Sequence, residues 1–266
     1  MEQEKKLQGR NSYSKTDEDA TFMRMKDDHM GNGQLKSAYN WQISTNNQYI
    51  VNYTIHQTAG DTTTLIPHLY SYYDHYGIMP EELTADAGYG SEENYEFSVA
   101  NNIEAYIKYN NFHKEETKKW KHDIRRSENL YYDKSNDVYY CPMGQSMHKI
   151  GEKTEKKASG FEQRISRYQA SNCTGCPLRG TCHRSKGNRI IEVNHNARHH
   201  REIIKSKLNS DRGKAKRSRR PIEPETVFGH IKHNKNFKRF MLRGKDKVEI
   251  EVGLLSIAHN LSKKVA

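Results

Sequence analysis

The sequence lacks any long apolar run. Only 33% of its 266 residues are hydrophobic, and the mean hydropathy is −1.07. No stretch approaches the roughly 20 apolar residues that a membrane-spanning helix needs. The first 20 residues also lack the apolar segment of a secretory signal. We therefore expect a soluble cytoplasmic protein with a smaller hydrophobic core than usual and long polar segments around that core.

Cysteine is scarce and confined to one segment, with Cys141, Cys173, Cys176 and Cys182 as its only copies. Disulfides are rare in cytosolic proteins, and C-x2-C-x5-C resembles a metal site more than a redox motif. One interpretation is a structural zinc site made of four thiolates, in which His183 could replace one ligand. The other is a set of buried free thiols.

Acidic residues are in deficit. The chain has 44 Lys and Arg against 33 Asp and Glu, a net charge of +11 and a pI of about 9.3. Much of the excess lies in three runs at 118–126, 212–220 and 232–247. Clustered basic charge favours a polyanionic partner, most often nucleic acid. The alternative is a solvated basic surface without a partner.

Periodicity first becomes clear after a polar segment, 1–34, that contains the loop signature "DDHMGNGQ". Alternating residues predict a hairpin over 37–57, with Tyr49, Val51, Tyr53 and Ile55 on one face and "TNNQ" as its turn. A helix should follow, because Leu65, Leu69, Tyr72 and Tyr76 share one face. Asp61 is placed to cap this helix and Gly77 to end it.

The next segment alternates strands and helices. "LTADAGYG" predicts a short strand that runs into a glycine turn, and Ser91 predicts the N-cap of a helix. A second strand is expected over 103–110. The resulting order of hairpin, helix, strand, helix and strand is α/β in character.

The rest of the chain falls into two parts. Residues 111–200 have dense charge and poor periodicity; we expect an insertion with a hairpin at "DVYYCPMGQSMHKI", a cysteine knuckle and a strand at "RIIEVN". Helices should return over 201–266, with a break at 209–213, a new helix from Pro221 over 222–234 and a last helix from 246. This predicts three segments, 1–110, 111–200 and 201–266.

Two acidic residues stand in suggestive surroundings. Asp86 follows a short apolar strand, at the carboxyl end where open α/β sheets bind ligands, and Gly88 and Gly90 would leave room beside its carboxylate. Glu225, Gly229 and Lys232 form one helical stripe, in which a glycine costs about 1 kcal/mol against alanine. The alternatives are an ordinary Asp-Gly turn and a solvated Glu/Lys face.

Together the two stretches resemble the DDE transposases of bacterial insertion sequences, in particular the group with a cysteine-bearing segment between the second Asp and the Glu. The motif "ADAGYGSEENY" is similar to that family's second-aspartate motif, and R-x4-E-x6-K is similar to its glutamate signature. The segments "TDEDATFMRMK", "SAYNWQIS" and "FKRFMLRGKDKVEIEVGLLSIAHNLSK" are similar to other parts of the family. The resemblance covers nearly the whole chain.

The resemblance implies a ribonuclease-H-like core and metal-dependent cleavage and strand transfer of DNA. Two divalent ions, Mg2+ or Mn2+, would be held by three carboxylates, of which Asp86 is the second and Glu225 the third. Expected partners are transposon ends, target DNA and further copies of the chain when active, in the bacterial cytoplasm at the nucleoid and without a membrane. Residues expected to contact DNA are Arg220 and Lys232 by resemblance, and Lys216, Arg217, Arg219, Arg239 and Arg243 from the basic runs.

The family's first aspartate has no counterpart here, since no "DGT"-like motif precedes the hairpin. We therefore expect a ribonuclease-H-like core without its first strand, in a truncated or frameshifted transposase with weak or no activity alone. Asp19, or less readily Asp17, is the alternative first ligand. The competing hypotheses are a non-catalytic basic DNA-binding protein with a structural zinc site, derived from a transposase, and a metal-dependent nuclease in another role.

Overall fold

The computed structural model describes residues 2–7, 9–25 and 31–265, so residues 27–30 of the predicted loop lie outside the described part. It has mixed α/β structure, and none of its described helices is long and apolar enough to cross a membrane. The helices are α1 (Glu2–Leu7), α2 (Leu65–Tyr76), α3 (Glu92–Ala100), α4 (Lys118–Lys121), α5 (His195–Asn209), α6 (Asp211–Arg219), α7 (Thr226–Gly229) and α8 (Lys245–Val265). The strands are β1 (Thr21–Arg24), β2 (Leu35–Ala38), β3 (Asn40–Asn46), β4 (Tyr49–His56), β5 (Glu82–Ala85), β6 (Glu104–Ile107), β7 (Tyr131–Asp133), β8 (Val138–Tyr140), β9 (Ser146–Lys156), β10 (Glu162–Ala170) and β11 (Ile190–Val193).

The chain folds as two compact units, 1–108 with 206–266, and 109–205. The first unit contains the predicted hairpin, formed by β3 and β4 in antiparallel register. Its turn residues Asn47 and Gln48 both have positive φ, 50° and 64°, which matches the twist of the flanking strands. The predicted orientation of the β4 side chains is wrong at Val51. The register between β3 and β4 shifts there, so that Val51 has no partner residue on β3. This bulge turns Ile50, rather than Val51, toward the core.

The two faces of this hairpin differ in polarity. The apolar face packs on the segment 226–234 and on α8, through clusters that include Ile50 with Val227 and Ile55 with Val248. The other face carries buried polar residues and packs against α2. A surface of this kind is stable only when its polar groups find hydrogen-bond partners.

His68 on α2 supplies those partners. One ring nitrogen lies 2.7 Å from Ser44 Oγ on β3, and the other lies 2.7 Å from Thr54 Oγ1 on β4. Thr54 Oγ1 also lies 2.7 Å from the ring of His56. Burial, followed by repulsion from His56, lowers the pKa of His68 to about 4; burial, followed by the charge of Lys245, lowers the pKa of His56 to about 4. Both rings are therefore neutral at pH 7.

Helix α2 confirms the predicted end but not the predicted cap. Of the predicted stripe, Leu65 and Leu69 are buried, whereas Tyr76 is 49% exposed. Gly77 has φ 69° and donates its N–H to Tyr73 O, as a left-handed C-cap does. The residue at the N-cap is Thr64, whose hydroxyl donates 2.8 Å to the carbonyl oxygen of Asp61. The Asp61 carboxylate bonds elsewhere, so its predicted role as the helix cap is wrong.

Strands β5 and β6 form a parallel pair, as a strand-helix-strand unit requires, with α3 as the crossover helix. The predicted cap of α3 is confirmed, since Ser91 Oγ accepts from Asn94 N at 3.2 Å. Strand β6 is shorter than the predicted 103–110. Among the described residues β3 pairs only with β4 and β5 only with β6, so the two pairs are separate sheets.

The polar N-terminal segment holds a small hairpin of β1 and β2 that sequence periodicity missed. Two acidic residues of this segment cap α8. Asp17 Oδ1 accepts from Gly244 N at 3.1 Å, and Asp19 Oδ2 accepts from Lys245 N at 2.9 Å. Carboxylates are stabilising at a helix N-terminus because its N–H groups are unpaired and carry partial positive charge.

The C-terminal helices follow the predicted plan with a smaller break. Helices α5 and α6 are separated by Ser210 alone, which caps α6 through Gly213 N. Residues 221–234 continue as wide π-type turns on either side of the short α7. On α8, Asn260 binds both backbone groups of Ile50: its Oδ1 accepts from Ile50 N and its Nδ2 donates to Ile50 O, both at 2.8 Å.

The second unit is built on a five-stranded antiparallel sheet in the order β11-β10-β9-β8-β7. The hairpin predicted at "DVYYCPMGQSMHKI" and the strand at "RIIEVN" are confirmed as β8–β9 and β11. The segment has more strands than its poor periodicity predicted, because β7, the full length of β9, and β10 were not foreseen. The core of the unit contains Tyr139, Met147, Tyr168, Ala170, Cys173, Ile191 and Val193.

Candidate active site

Asp86 lies at the carboxyl end of β5, where the chain enters a single 3-10 turn over Ala87–Tyr89. Its Oδ1 accepts from Ala87 N at 2.8 Å, which caps the turn, while its side chain remains 47% exposed. The second carboxylate oxygen faces away from this cap and is available to another group. Local hydrogen bonding therefore fixes the backbone, and the strand end presents the carboxylate.

Glu225 comes to the same place from the other end of the first unit. It closes the π-type turn that begins at Pro221, directly after α6. Arg220 joins the two acidic residues: its Nη2 lies 3.1 Å from Asp86 Oδ2 and its Nη1 lies 2.9 Å from Glu225 Oε1. The Arg220 side chain is only 19% exposed. Two carboxylates that are distant in sequence thus share one cationic group.

A third carboxylate, Asp61, lies next to the Asp86 turn. Its Oδ1 accepts from Asn40 Nδ2 at 2.9 Å and from Gln42 Nε2 at 3.1 Å. Its Oδ2 would be 3.0 Å from a Cβ at Gly88. Gly88 thus leaves room beside a carboxylate, but that carboxylate belongs to Asp61 and not, as predicted, to Asp86. Neither Gly88 nor Gly90 has a positive φ, so the turn itself does not require glycine.

Tyr89 connects this carboxylate to the turn. Its hydroxyl donates to Gln42 Oε1, and Gln42 donates to Asp61. Burial, then the negative charges of Asp61 and Asp86, raise the pKa of Tyr89 well above its ordinary value, while Arg220 lowers it. The phenol therefore stays protonated. Sequence reasoning missed this network because its members come from β3, the loop before α2 and the turn after β5.

The stripe of Glu225, Gly229 and Lys232 lies along the π-type turns and α7. A Cβ at Gly229 would meet no atom within 4 Å, so there is open space at this point of the stripe. The exposed Lys232 places its Nζ 5.2 Å from the centre of the Phe228 ring. This is within the range of a cation–π interaction and leaves the ammonium accessible to an anion.

The other predicted DNA contacts differ in their surroundings. Lys216 and Arg212 both pair with the Glu82 carboxylate, so Lys216 is partly neutralised. Arg243 Nη1 donates to Thr16 O at 3.5 Å. Arg219 and Arg239 are exposed, and Arg217 is half-buried. The exposed members favour contact with phosphates more than Lys216 does.

The four cysteines are free and line one small cavity of about 20 Å³ in the second unit, together with His183 and Arg189. Arg189 is buried and donates to Cys182 Sγ at 2.8 Å, and its backbone N–H donates to Cys173 Sγ at 3.4 Å. Across the described ranges no group of three or more His, Cys, Asp or Glu side chains is arranged to hold a metal ion. The cysteines are therefore gathered but not preformed as a tetrahedral site, and zinc stays a prediction.

The donor chemistry at Arg220 fits a hard divalent cation. Mg2+ prefers oxygen ligands and is commonly held by one or two carboxylates, with waters and substrate phosphates completing its shell. Asp86 and Glu225 supply such oxygens, and they already converge on a positive charge. Two carboxylates are within the number that such an ion commonly uses.

Comparison with known protein families gives a match for part of the chain. Residues 140–265 match the family model of a transposase DDE domain, which supports a DDE transposase. The match covers just under half of the chain; it includes Arg220, Glu225, Lys232 and all four cysteines and does not reach Asp86. No curated protein and no solved structure matches the chain.

Proposed function

We propose that the chain is the catalytic portion of a DDE transposase of a bacterial insertion sequence, with a ribonuclease-H-like core in its first unit. The observation that carries the proposal is the bridge from Arg220 to Asp86 and Glu225. An ion bridge between a strand-end aspartate and a glutamate far along the chain is difficult to explain as a turn or a solvated face. The match to a transposase DDE domain supports the same reaction class.

Asp86 and Glu225 are the residues that would hold Mg2+ or Mn2+. When bound, such an ion polarises a phosphoryl oxygen and generates a strong nucleophile from water or a 3'-hydroxyl. The neighbouring groups of this chain have separate tasks. The bonds from Ala87 N and the Asp61–Gln42–Tyr89 network hold the Asp86 turn in place.

Arg220 has two tasks in this proposal. Without DNA its single positive charge lies between the two carboxylates and offsets their mutual repulsion. With DNA it can turn to a phosphate oxygen, since a guanidinium binds phosphate as well as carboxylate. Lys232, Arg219 and Arg239 extend the same positive surface, and the net charge of +11 favours transposon ends and target DNA as partners.

The first catalytic aspartate comes, in our proposal, from a strand outside the described sheets. Strands β3 and β5 have no second neighbour among the described residues, so each offers an unpaired edge. Asp17 and Asp19 are poor substitutes because their carboxylates cap α8. We therefore propose that this chain alone cleaves DNA weakly or not at all.

Metal binding and DNA cleavage test the proposal separately. Titration with Mn2+ should show a site that Asp86→Asn and Glu225→Gln each weaken, whereas Asp74→Asn, an exposed acidic residue of α2, leaves it unchanged. If all three variants bind Mn2+ equally well, Asp86 and Glu225 do not form the metal site. A chain that joins a transposon end unaided, with Asp86→Ala abolishing the reaction, would contradict the proposal that it cleaves DNA weakly or not at all alone.

The second candidate is a non-catalytic DNA-binding protein derived from a transposase. It is favoured by the described residues having no group of three or more ligands placed for a metal ion. In this case Arg220 stays paired with Asp86 and Glu225 as a structural ion bridge. DNA binding would then be independent of Mn2+, and Glu225→Gln would change neither affinity nor metal uptake.

We also propose that the cysteine cavity binds a structural zinc ion. Support comes from the presence of Cys141, Cys173, Cys176 and Cys182 in the lining of one small cavity. Binding would require the sulfurs to move to the roughly 2.3 Å bonds of a tetrahedral zinc site. This closure would accompany metal binding, because thiolate ligands commonly organise around the metal as the site forms.

A further inference from the structure

The segment 221–234 is held at two points by groups from other parts of the first unit. Near its start, Glu223 Oε2 accepts at 2.8 Å from Gln48 N, in the turn between β3 and β4. Near its end, Nδ1 of His230 lies 3.1 Å from Nδ1 of His259 on α8. Wide π-type turns are rare and are often found at functional sites. A segment built largely of such turns depends on contacts like these to keep its path.

The bonds of His259 determine which ring nitrogens carry protons in the histidine pair, His230 and His259. Nε2 of His259 lies 2.9 Å from Gln48 O. A carbonyl oxygen can only accept, so this nitrogen carries the proton and Nδ1 of the neutral ring is an acceptor. His230 must therefore donate from its own Nδ1. The bonds run in one direction, from His230 through the buried His259 to the hairpin turn.

Charged groups around the histidine pair disfavour an additional proton. Burial, followed by repulsion from His259 and Lys235, lowers the pKa of His230. Lys235 is held close because its Nζ donates to the α8 backbone at 2.9 Å. Two other charged groups face the same hairpin turn: Lys263 donates to its side chain, and the carboxylate of Glu223 accepts from its backbone. A proton on Nδ1 of His259 would in addition point at the N–H of His230.

Between its two anchors, at Glu223 and His230, the segment carries Glu225. The Glu225 side chain is 57% exposed, and its carboxylate bonds to Arg220. We propose that the histidine pair positions Glu225 for metal binding, and that this hold weakens when the pair takes up a proton. The proposal rests on the proposed function, because it requires Glu225 to be a metal ligand. It gives the site a dependence on pH that its carboxylates alone would not have at about pH 7.

In the wild type the segment should loosen as the pH falls below about 6.5. A histidine with a lowered folded pKa stabilises the fold fully above its unfolded pKa, and this contribution is lost as the pH falls. Trp41 reports the loosening, because its ring centre lies 5.3 Å from that of Phe228 in the segment. Trp120→Phe removes the signal of the second unit. A range from about pH 8 to 5.5 lies above the pKa of about 4 of His56 and His68.

Two variants of nearly equal shape test the direction of the bond. His230→Asn keeps an N–H donor near the position of Nδ1 and does not titrate, whereas His230→Asp places a carboxylate oxygen there. His230→Asn should therefore keep the wild-type Trp41 emission and lose most of its dependence on pH. In His230→Asp, His259 must carry two protons to donate, so the segment should loosen as the pH rises. His75→Asn, at an exposed histidine of α2, is the matched control and should keep the wild-type profile.

Mn2+ binding by the full chain then shows whether the histidine pair acts on Glu225. Relative to wild type at the same pH, His230→Asp should bind Mn2+ roughly tenfold more weakly at about pH 8. This difference should shrink toward about pH 6, where His259 takes up its second proton more readily. His259→Phe offers neither donor nor acceptor, so it should bind Mn2+ weakly at both pH values. It replaces His230→Asp as the test if that variant does not fold.

Failure of this positioning role and failure of the proposed function give different results. Parallel pH profiles of wild type and His230→Asp overturn the positioning role, as does wild-type Mn2+ affinity in His259→Phe. Altered Trp41 emission with unchanged Mn2+ affinity also overturns it, since the pair would then only stabilise the fold. If Asp86→Asn leaves Mn2+ binding unchanged, the proposed function fails, whereas opposite Trp41 profiles would still establish the anchor at His230.

Discussion

Gly213 is the position where one added methyl group should disturb the first unit most. It lies in the first turn of α6, against the last turn of α5. A Cβ at this position would overlap the carbonyl oxygen of Lys207 and lie 2.7 Å from the Cα of Leu208. Both are backbone atoms, so no side-chain rotation relieves the overlap. Overpacking costs about 1–3 kcal/mol, and we expect Gly213→Ala to lower the free energy of unfolding by about 3 kcal/mol.

Gly229→Ala is the matched control for this substitution. Gly229 is also helical, with φ −59° and ψ −46°, but its Cβ would meet no atom within 4 Å. Alanine is favoured over glycine in a helix by about 1 kcal/mol, so this variant should be more stable than wild type. The same chemical change is thus expected to have opposite signs at two helical glycines, with a spread of about 4 kcal/mol.

The assay needs a signal from the first unit alone. Trp41 lies in that unit and Trp120 in the other, so a Trp120→Phe background leaves Trp41 fluorescence as the reporter of urea unfolding. Because α6 leads directly into Arg220, Gly213→Ala should also weaken Mn2+ binding. Gly213→Ala with wild-type stability would refute the close approach of the two helices. A destabilised Gly229→Ala would show that the space beside Gly229 is filled.

Three further predictions concern charge and metal. Arg220→Gln should reduce the slope of log K for DNA binding against log salt concentration by about 0.9. An unchanged slope would show that Arg220 does not contact a DNA phosphate. Because the folded pKa values of His68 and His56 lie near 4, below the ordinary 6.5, stability should be full above pH 6.5 and fall as the pH drops toward 4. The buried His68 alone should account for a loss of about 3 kcal/mol. His68→Asn should flatten this loss, and a steep residual pH dependence would assign it to other groups. Chain purified without chelators should contain one zinc ion, and Cys176→Ser should lose it. Wild-type chain that is free of zinc under the same conditions would refute the proposed zinc site.

The sequence predicted the first unit well where one face of an element is apolar. The hairpin, α2 and the capped α3 all follow from local periodicity and capping residues. It failed at Val51, because a bulge depends on how two strands pair and not on the strand's own pattern. Alternation is a local signal, whereas register is a property of the pair.

The second unit was harder because its long strands carry apolar core residues only near one end, at Met147 of β9 and at Tyr168 and Ala170 of β10. Much of β9 is exposed, and charged pairs such as Lys153 with Glu192 replace apolar contacts between strands. Such strands carry no period-two hydrophobic signal. Their pairing is instead stabilised by backbone hydrogen bonds and cross-strand charge pairs, which a single sequence does not reveal.

The sequence predicted which residues belong to the candidate site, but not how they are arranged. Asp86, Glu225 and Arg220 were identified from motifs, but the sequence did not show that Arg220 would join the other two. Asp61 was assigned to a helix cap because cap residues are recognised by position alone. Its actual partners, Asn40 and Gln42, lie on a strand that only folding brings near.

The double hydrogen bond between Asn260 and Ile50 has a consequence for solubility. A primary amide offers one donor and one acceptor in nearly the arrangement of a peptide group, so Asn260 imitates the neighbouring strand that β4 lacks. Exposed strand edges recruit the edges of other chains and lead to aggregation. The C-terminal helix thus blocks the outer edge of β4 with a side chain instead of a strand. Asn260→Leu should therefore produce aggregates at concentrations where the wild-type chain stays clear.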